Sequence, residues 1–153
     1  MLERVTADEI EGLRAFLGEV DLTLSGLDAP TVRLWTERAP DGAVVGSTGY
    51  ELSGDGAHAL IRSVAVAPGR RTAGAGSLLA RFALDDAARS GARRAWLFSR
   101  RSGPFWQKLG FEPADRAELA TVLSQTHQVR LFTETGQLDR EVAWSRGLED
   151  LSR

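Results

Sequence analysis

The sequence predicts an α+β fold: helices packed on a mixed, mostly antiparallel sheet. Three observations predict it. Three strand-like runs, 32–38, 43–52 and 57–66, are separated by the turn segments Ala39-Pro40-Asp41-Gly42 and Ser53-Gly54-Asp55-Gly56, which is the pattern of an antiparallel meander. The third run passes through a glycine-bearing loop into an amphipathic helix and then into a further strand, 94–99. A strand reached through a helical crossover lies parallel to the one before it. Finally, 153 residues with 42% apolar and 26% charged content suit one globular domain, 1–153, large enough to bury a core.

The elements follow in order. Residues 2–5 suit a short first strand. Thr6-Ala7-Asp8-Glu9 is a capping-box pattern, and Ile10, Leu13, Phe16 and Leu17 mark the buried face of a helix ending near Gly18. Residues 20–30 read as a second short helix followed by a loop. Gly46 and Gly49 weaken the strand 43–52. In the crossover helix Leu78, Leu79, Phe82 and Ala83 recur at helical spacing. Arg81–Asp85 and Asp85–Arg89 sit four apart, as on a solvated face, and Ser90-Gly91 ends the helix. In strand 94–99, Trp96 and Phe98 share one face, Ala95 and Leu97 the other. A loop, 100–104, leads to a short helix, 105–109, closed by Gly110. Asp115-Arg116-Ala117-Glu118 caps another helix running to about Ser124. Residues 129–132 and 141–148 read as closing strands around a polar turn at Gly136.

The stretch with the most chemistry runs from Ile61 to Ser77. Its β-branched strand stops at Pro68-Gly69, Arg70 and Arg71 follow, and Gly74 and Gly76 open the helix. The first amides of a helix have no backbone partner, and the helix dipole favours an anion there. Glycines let the backbone approach that anion closely. The loop is therefore a candidate phosphate cradle. A Walker loop is excluded, since no lysine follows Gly76 and Lys108 is the only lysine in the chain. A dinucleotide fingerprint is excluded because Leu79 stands where its third glycine belongs.

Composition narrows the classes further. A net charge of −2 leaves no global field for nucleic acid or membrane. The absence of cysteine removes thiolate catalysis, disulfides and cysteine-ligated zinc. His58 and His127 have no ligand spacing, so no metal is expected. The first residues, Met1-Leu2-Glu3-Arg4, carry no apolar signal core, and a cytoplasmic protein is expected.

The segment Arg71-Thr72-Ala73-Gly74-Ala75-Gly76 resembles the pyrophosphate-binding Arg/Gln-x-x-Gly-x-Gly/Ala loop of the GNAT superfamily of N-acetyltransferases. The later Phe105-Trp106-Gln107-Lys108-Leu109-Gly110-Phe111 resembles the short helix ending in Leu-Gly-Phe of the same superfamily. Within it, the chain looks like the branch named for arsenic resistance, in Tyr50-Glu51, in 61–66 and in Asp115-Arg116-Ala117-Glu118-Leu119. It departs from that branch at Thr133-Glu134-Thr135-Gly136, where a Cys-Pro pair is usual. The resemblance implies an α/β/α sandwich whose sheet splays at the parallel strand pair, with helices on both faces.

It also implies acetyl transfer from acetyl-CoA to the amine of a small molecule by direct attack, with no metal. The pantetheine arm would pair with Val64 and Val66, flanking Ala65, and an amide near Val66 would hold the oxyanion. The pyrophosphate would take amides from Arg71, Thr72, Ala73, Gly74, Ala75, Gly76 and Ser77. Phe105, Trp106 and Lys108 of the short helix would meet the cofactor.

An attacking amine must be neutral, so a base is wanted. Glu51 is the first candidate, inside a strand beside the one that carries Arg62; His58 is the alternative by reference pKa. Arg62 would pair with Glu51 or orient an acidic substrate. Many family members place a tyrosine on the short helix to protonate the leaving thiolate. Trp106 occupies that place, and indole is no acid. Ser99, Ser102 or water would serve, or the thiolate would leave unaided. A catalytically silent acyl-CoA-binding or ligand-sensing module on the same fold is the alternative, and homodimer formation stays open.

Overall fold

The computed structural model describes residues 2–19, 31–70 and 74–149. Seven strands form one sheet: β1 (Leu2–Arg4), β2 (Val32–Arg38), β3 (Val44–Leu52), β4 (His58–Val66), β5 (Arg94–Phe98), β6 (Glu112–Ala114) and β7 (Ala143–Gly147). Their order is β1-β2-β3-β4-β5-β7-β6, and the single parallel pairing is β4 with β5. The helices are α1 (Ile10–Glu19), α2 (Ala75–Arg89), α3 (Gly103–Lys108), α4 (Arg116–Val122) and α5 (His127–Thr135).

Alternation along the strands fills both faces. One face carries Tyr50, Ala59, Ile61, Ala95 and Leu97 against α2 and α3, through Ala80, Leu84, Ala87, Trp106 and Leu109. The other carries Val32 and Leu34 against Leu13, Phe16 and Leu17 of α1, and Leu60 and Trp96 against α4 and α5. Val32, Glu51, Leu60 and Trp96 are cross-strand partners in turn, so α1, α4 and α5 share that face. The result is the expected sandwich with helices on both sides. At the start of the chain the Thr6 amide donates to Glu9 Oε1 at 3.0 Å, and a 3₁₀ turn, Ala7–Glu9, leads into α1.

Gly46 and Gly49 do not weaken β3 so much as let it fit. A Cβ on Gly49 would lie 2.4 Å from the Arg33 carbonyl oxygen and 2.6 Å from Leu34 Cδ2. The missing side chain is what allows β2 to close on β3.

Two readings are corrected and one strand is added. Residues 129–132 are not a strand but the middle of α5. The four residues Val129-Arg130-Leu131-Phe132 are too few to settle their own period. Thr126 caps the helix by accepting from the Val129 amide, and Gly136, left-handed at φ 77°, ends it. The strand β6 escaped the periodicity because it has three residues and contains Pro113, which its edge position tolerates. Leu78 is not on the buried face of α2: it is 72% exposed, while Leu79 and Ala83 are buried. The expected short helix at 20–30 lies outside the described residues.

Candidate functional site

The parallel pair is short. His58, Ala59 and Leu60 face Arg94, Ala95 and Trp96, and there the pairing stops. β4 runs on for six more residues without a β5 partner, so the sheet opens along 61–66. Inside that stretch the β3 ladder slips by one residue. Ser47 faces Ala65 and Gly49 faces Arg62, so two steps on β3 match three on β4. The extra residue makes a bulge, and Ser63 takes φ 61°, the one left-handed residue other than glycine among those described. Such a conformation costs on the order of 1–3 kcal/mol and persists only where neighbours enforce it. The Ser47 hydroxyl, fully buried, donates to the Ser63 carbonyl at 2.6 Å. Val64 packs toward the α2 face and Ala65 toward α1, so the opened strand alternates across both sides of the gap.

The helix after this strand begins where the cradle was expected. Gly74 is its N-cap, left-handed at φ 87°, and a Cβ there would meet nothing within 4 Å. The first intrahelical bond is from the Leu78 amide to the Gly74 carbonyl, so the amides of Ala75, Gly76 and Ser77 have no acceptor within the helix. Buried Thr48 donates its hydroxyl to the Leu79 carbonyl at 2.7 Å and fixes this turn to β3. A Cβ on Gly76 would stand 3.4 Å from the Phe105 ring, so α3 closes over the cradle at that glycine. Room, amides and dipole suit a phosphate. Arg71, Thr72 and Ala73 lie outside the described residues.

On α3, Phe105 is half-buried and meets Trp106 edge-on at 5.0 Å. Trp106 is a core residue, packed on Phe111 at 5.4 Å, so it supports the wall from behind; Lys108 is exposed at the far end of the helix. Ser99 follows β5 at the open end. Its hydroxyl accepts from the Ser102 amide at 3.0 Å, and its carbonyl accepts from Trp144 Nε1 at 2.9 Å.

Glu51 and Arg62 are brought together, as one of the two readings had it, at 2.9 Å between Oε2 and Nη1 with both side chains at 0% exposure. The carboxylate also accepts from the His127 amide at 2.6 Å and the Gln128 amide at 3.2 Å, the first two residues of α5. Burial pushes the Arg62 guanidinium pKa down and the Glu51 charge opposes that shift. Glu51, the expected base, has its oxygens engaged by three N–H donors and closed from solvent, an arrangement suited to anchoring the start of α5. His58, the alternative base, accepts from Trp96 Nε1 at Nδ1, 3.0 Å away, at the closed end of the parallel pair. The bulge and the α5 anchor are what sequence reasoning missed. Neither has a local signal, because the strained residue is an ordinary serine and the anchor spans 76 positions.

Among the described residues no group of three or more His, Cys, Asp or Glu could hold a metal, and no helix is long and apolar enough to cross a membrane.

A family model described as "Acetyltransferase (GNAT) family" matches residues 7–111. No curated protein matches the chain. Solved structures show the same fold. A GNAT-family acetyltransferase from Staphylococcus aureus Mu50 superposes with TM-score 0.73 at 13% identity, covering 97% of this chain and all of that one. A Mycobacterium tuberculosis protein in complex with CoA gives TM-score 0.70 at 16% identity, covering 97% of this chain and 99% of that one. The N-acetylglutamate synthase of Neisseria gonorrhoeae, complexed with coenzyme A and N-acetyl-glutamate, gives TM-score 0.67 at 17% identity over 97% of this chain. This chain spans 35% of the length of that synthase.

Proposed function

The chain belongs to the acetyltransferase (GNAT) family, and on that premise we propose that it moves the acetyl group of acetyl-CoA onto the amine of a small cytoplasmic molecule. One observation carries the proposal: β4 parts from β5 after three residue pairs, and the N-terminus of α2 stands at the end of the same strand. The opened strand 61–66 offers a backbone edge for the pantetheine arm, with Val64 and Val66 on it. The cradle amides of Ala75, Gly76 and Ser77, continuing from Arg71, Thr72, Ala73 and Gly74, would take the pyrophosphate, and Phe105 would bound it. Two of the similar structures contain CoA, which supports acetyl-CoA as the acetyl donor.

In the reaction the amine nitrogen attacks the thioester carbonyl carbon and the carbonyl oxygen becomes an oxyanion. An amide of the opened strand near Val66 would hold it; a preorganised donor of this kind contributes about 3–4 kcal/mol of barrier lowering. The C–S bond then breaks, the thiolate leaves, and the amine proton passes to solvent. The Ser99 hydroxyl accepts one amide bond, which leaves its O–H to meet the thiolate. Ser99→Ala should then lower kcat by no more than about tenfold, because a thiol of pKa ~8.5 is a competent leaving group unaided.

The likeness to the arsenic-resistance branch supports a small-molecule acceptor and no more. Where that branch has Cys-Pro, Thr133–Thr135 here close helix α5. The engaged Glu51 and the core position of Trp106 favour a second reading, a silent acyl-CoA binder. A thiol-release screen of acetyl-CoA against amines, amino acids and amino sugars, run beside CoA calorimetry, separates the two. Turnover with any acceptor supports transfer; CoA binding with no turnover supports the binder; no CoA heat sinks both.

A further inference from the structure

We propose that Arg62 and Glu51 are positioning residues of the transfer site, holding the left-handed bulge at Ser63 and tying it to the first turn of α5. The inference rests on the acetyl-transfer reading and names what sets the shape of its reacting strand.

The chain of contacts is continuous. Arg62 Nε donates to Ser63 Oγ at 3.3 Å, and Arg62 Nη1 donates to Glu51 Oε2 at 2.9 Å. Glu51 Oε1 accepts from the His127 amide at 2.6 Å, and Oε2 from the Gln128 amide at 3.2 Å. Arg62 and Glu51 have no exposed side-chain surface, so water cannot stand in for either partner. A carboxylate at the first two amides of a helix is also where the dipole favours it. Displacing the end of α5 therefore pulls on Glu51, then on Arg62, then on the one described residue whose backbone is strained. Ser63 has a second hold, Ser47 on its carbonyl, which fixes the backbone side of the bulge while Arg62 fixes the side-chain side. The bulge lies beyond the last β5 partner, in the stretch that would face the thioester. A pair that served stability alone would not need to touch Ser63.

The test combines thiol-release kinetics, CoA calorimetry and amide hydrogen exchange on the folded protein. Arg62→Lys keeps a positive charge beside Glu51 but has no Nε to reach Ser63. It should lower kcat by roughly 10- to 100-fold with KM for acetyl-CoA within about threefold, as small misplacements near a reacting centre do. Exchange should quicken together at residues 62–66 and at 127–129. Ser63→Gly takes the left-handed conformation without strain, so in that background Arg62→Lys should have a smaller effect on kcat, a non-additivity that unfolding midpoints would not show. Additive effects on kcat, or exchange that changes at one of the two segments alone, overturn the proposal. Should Arg62→Lys not fold, Ser63→Ala decides: it deletes only the Oγ that Arg62 holds, kcat should fall severalfold, and an unchanged kcat overturns the proposal. A wild-type protein without turnover on any amine refutes the transfer reading instead, and the exchange result still decides whether the bulge and α5 are tied.

Discussion

Replacing Glu51 by glutamine separates an anchor from a base. In the native protein three N–H donors converge on the carboxylate, from Arg62 at 2.9 Å, His127 at 2.6 Å and Gln128 at 3.2 Å, with no solvent access. Glutamine keeps the shape and one acceptor oxygen. Its other terminus is an NH₂ aimed at donors, and it leaves the buried guanidinium without a counter-charge. Removing one partner of a buried pair costs about 3–5 kcal/mol. The retained oxygen offsets part of that, so a loss near 3 kcal/mol is expected, a large share of the ~5–15 kcal/mol that holds a domain together. With a urea slope of ~1–3 kcal/mol per molar, the unfolding midpoint should drop by about 1 M or more. Circular dichroism against urea measures it, and CoA calorimetry on the folded fraction should still give heat. A general base would behave otherwise: kcat would fall by roughly 10²–10⁴-fold with the midpoint unmoved. An unchanged midpoint with lost turnover would refute the anchor.

Further outcomes follow from the same geometry. Gly49→Ala places a methyl 2.4 Å from the Arg33 carbonyl oxygen, a backbone atom that cannot swing aside; β2 and β3 must part, and the loss should exceed the ~1–3 kcal/mol of ordinary overpacking, seen as poor soluble yield or early melting. Tyr50, the single tyrosine, is raised above its ordinary value of 10.0, chiefly by burial, with Asp86 accepting its hydroxyl at 2.7 Å. A raised folded pKa gives stability that is complete below pH 10 and lost as pH climbs through the folded value; phenolate absorbance should appear only together with alkaline unfolding. Gly74→Ala forces a side chain into φ 87° without any clash, costing about 1–2 kcal/mol or several degrees of melting temperature, and should weaken CoA binding; affinity unchanged within measurement would count against the cradle.

Much of this was legible in the residues because it is local. The meander turns, the Gly74–Gly76 helix start, and the Trp96/Phe98 and Ala95/Leu97 split of β5 depend on neighbours a few positions apart, and they lie where spacing put them. The family was legible for the same reason. What could not be read is set at long range. Residues 129–132 are helical because Thr126 caps them and because a carboxylate 76 positions away receives their helix's first amide. Ser63 is left-handed because β3 and β4 differ by one residue across a ladder, a count no single strand contains. Leu78 looked internal by period, yet it sits on the side of the first turn of α2 that no strand covers.

The brief contact between β4 and β5 has a mechanical consequence. The sheet is two leaves, β1 to β4 and β5-β7-β6, whose shared ladder has only three residue pairs, backed on each face by core side chains that cross the seam. Past the third pair the two leaves share no ladder. A molecule lodged between the leaves would work as a clasp, raising the melting temperature as the logarithm of its concentration over its dissociation constant.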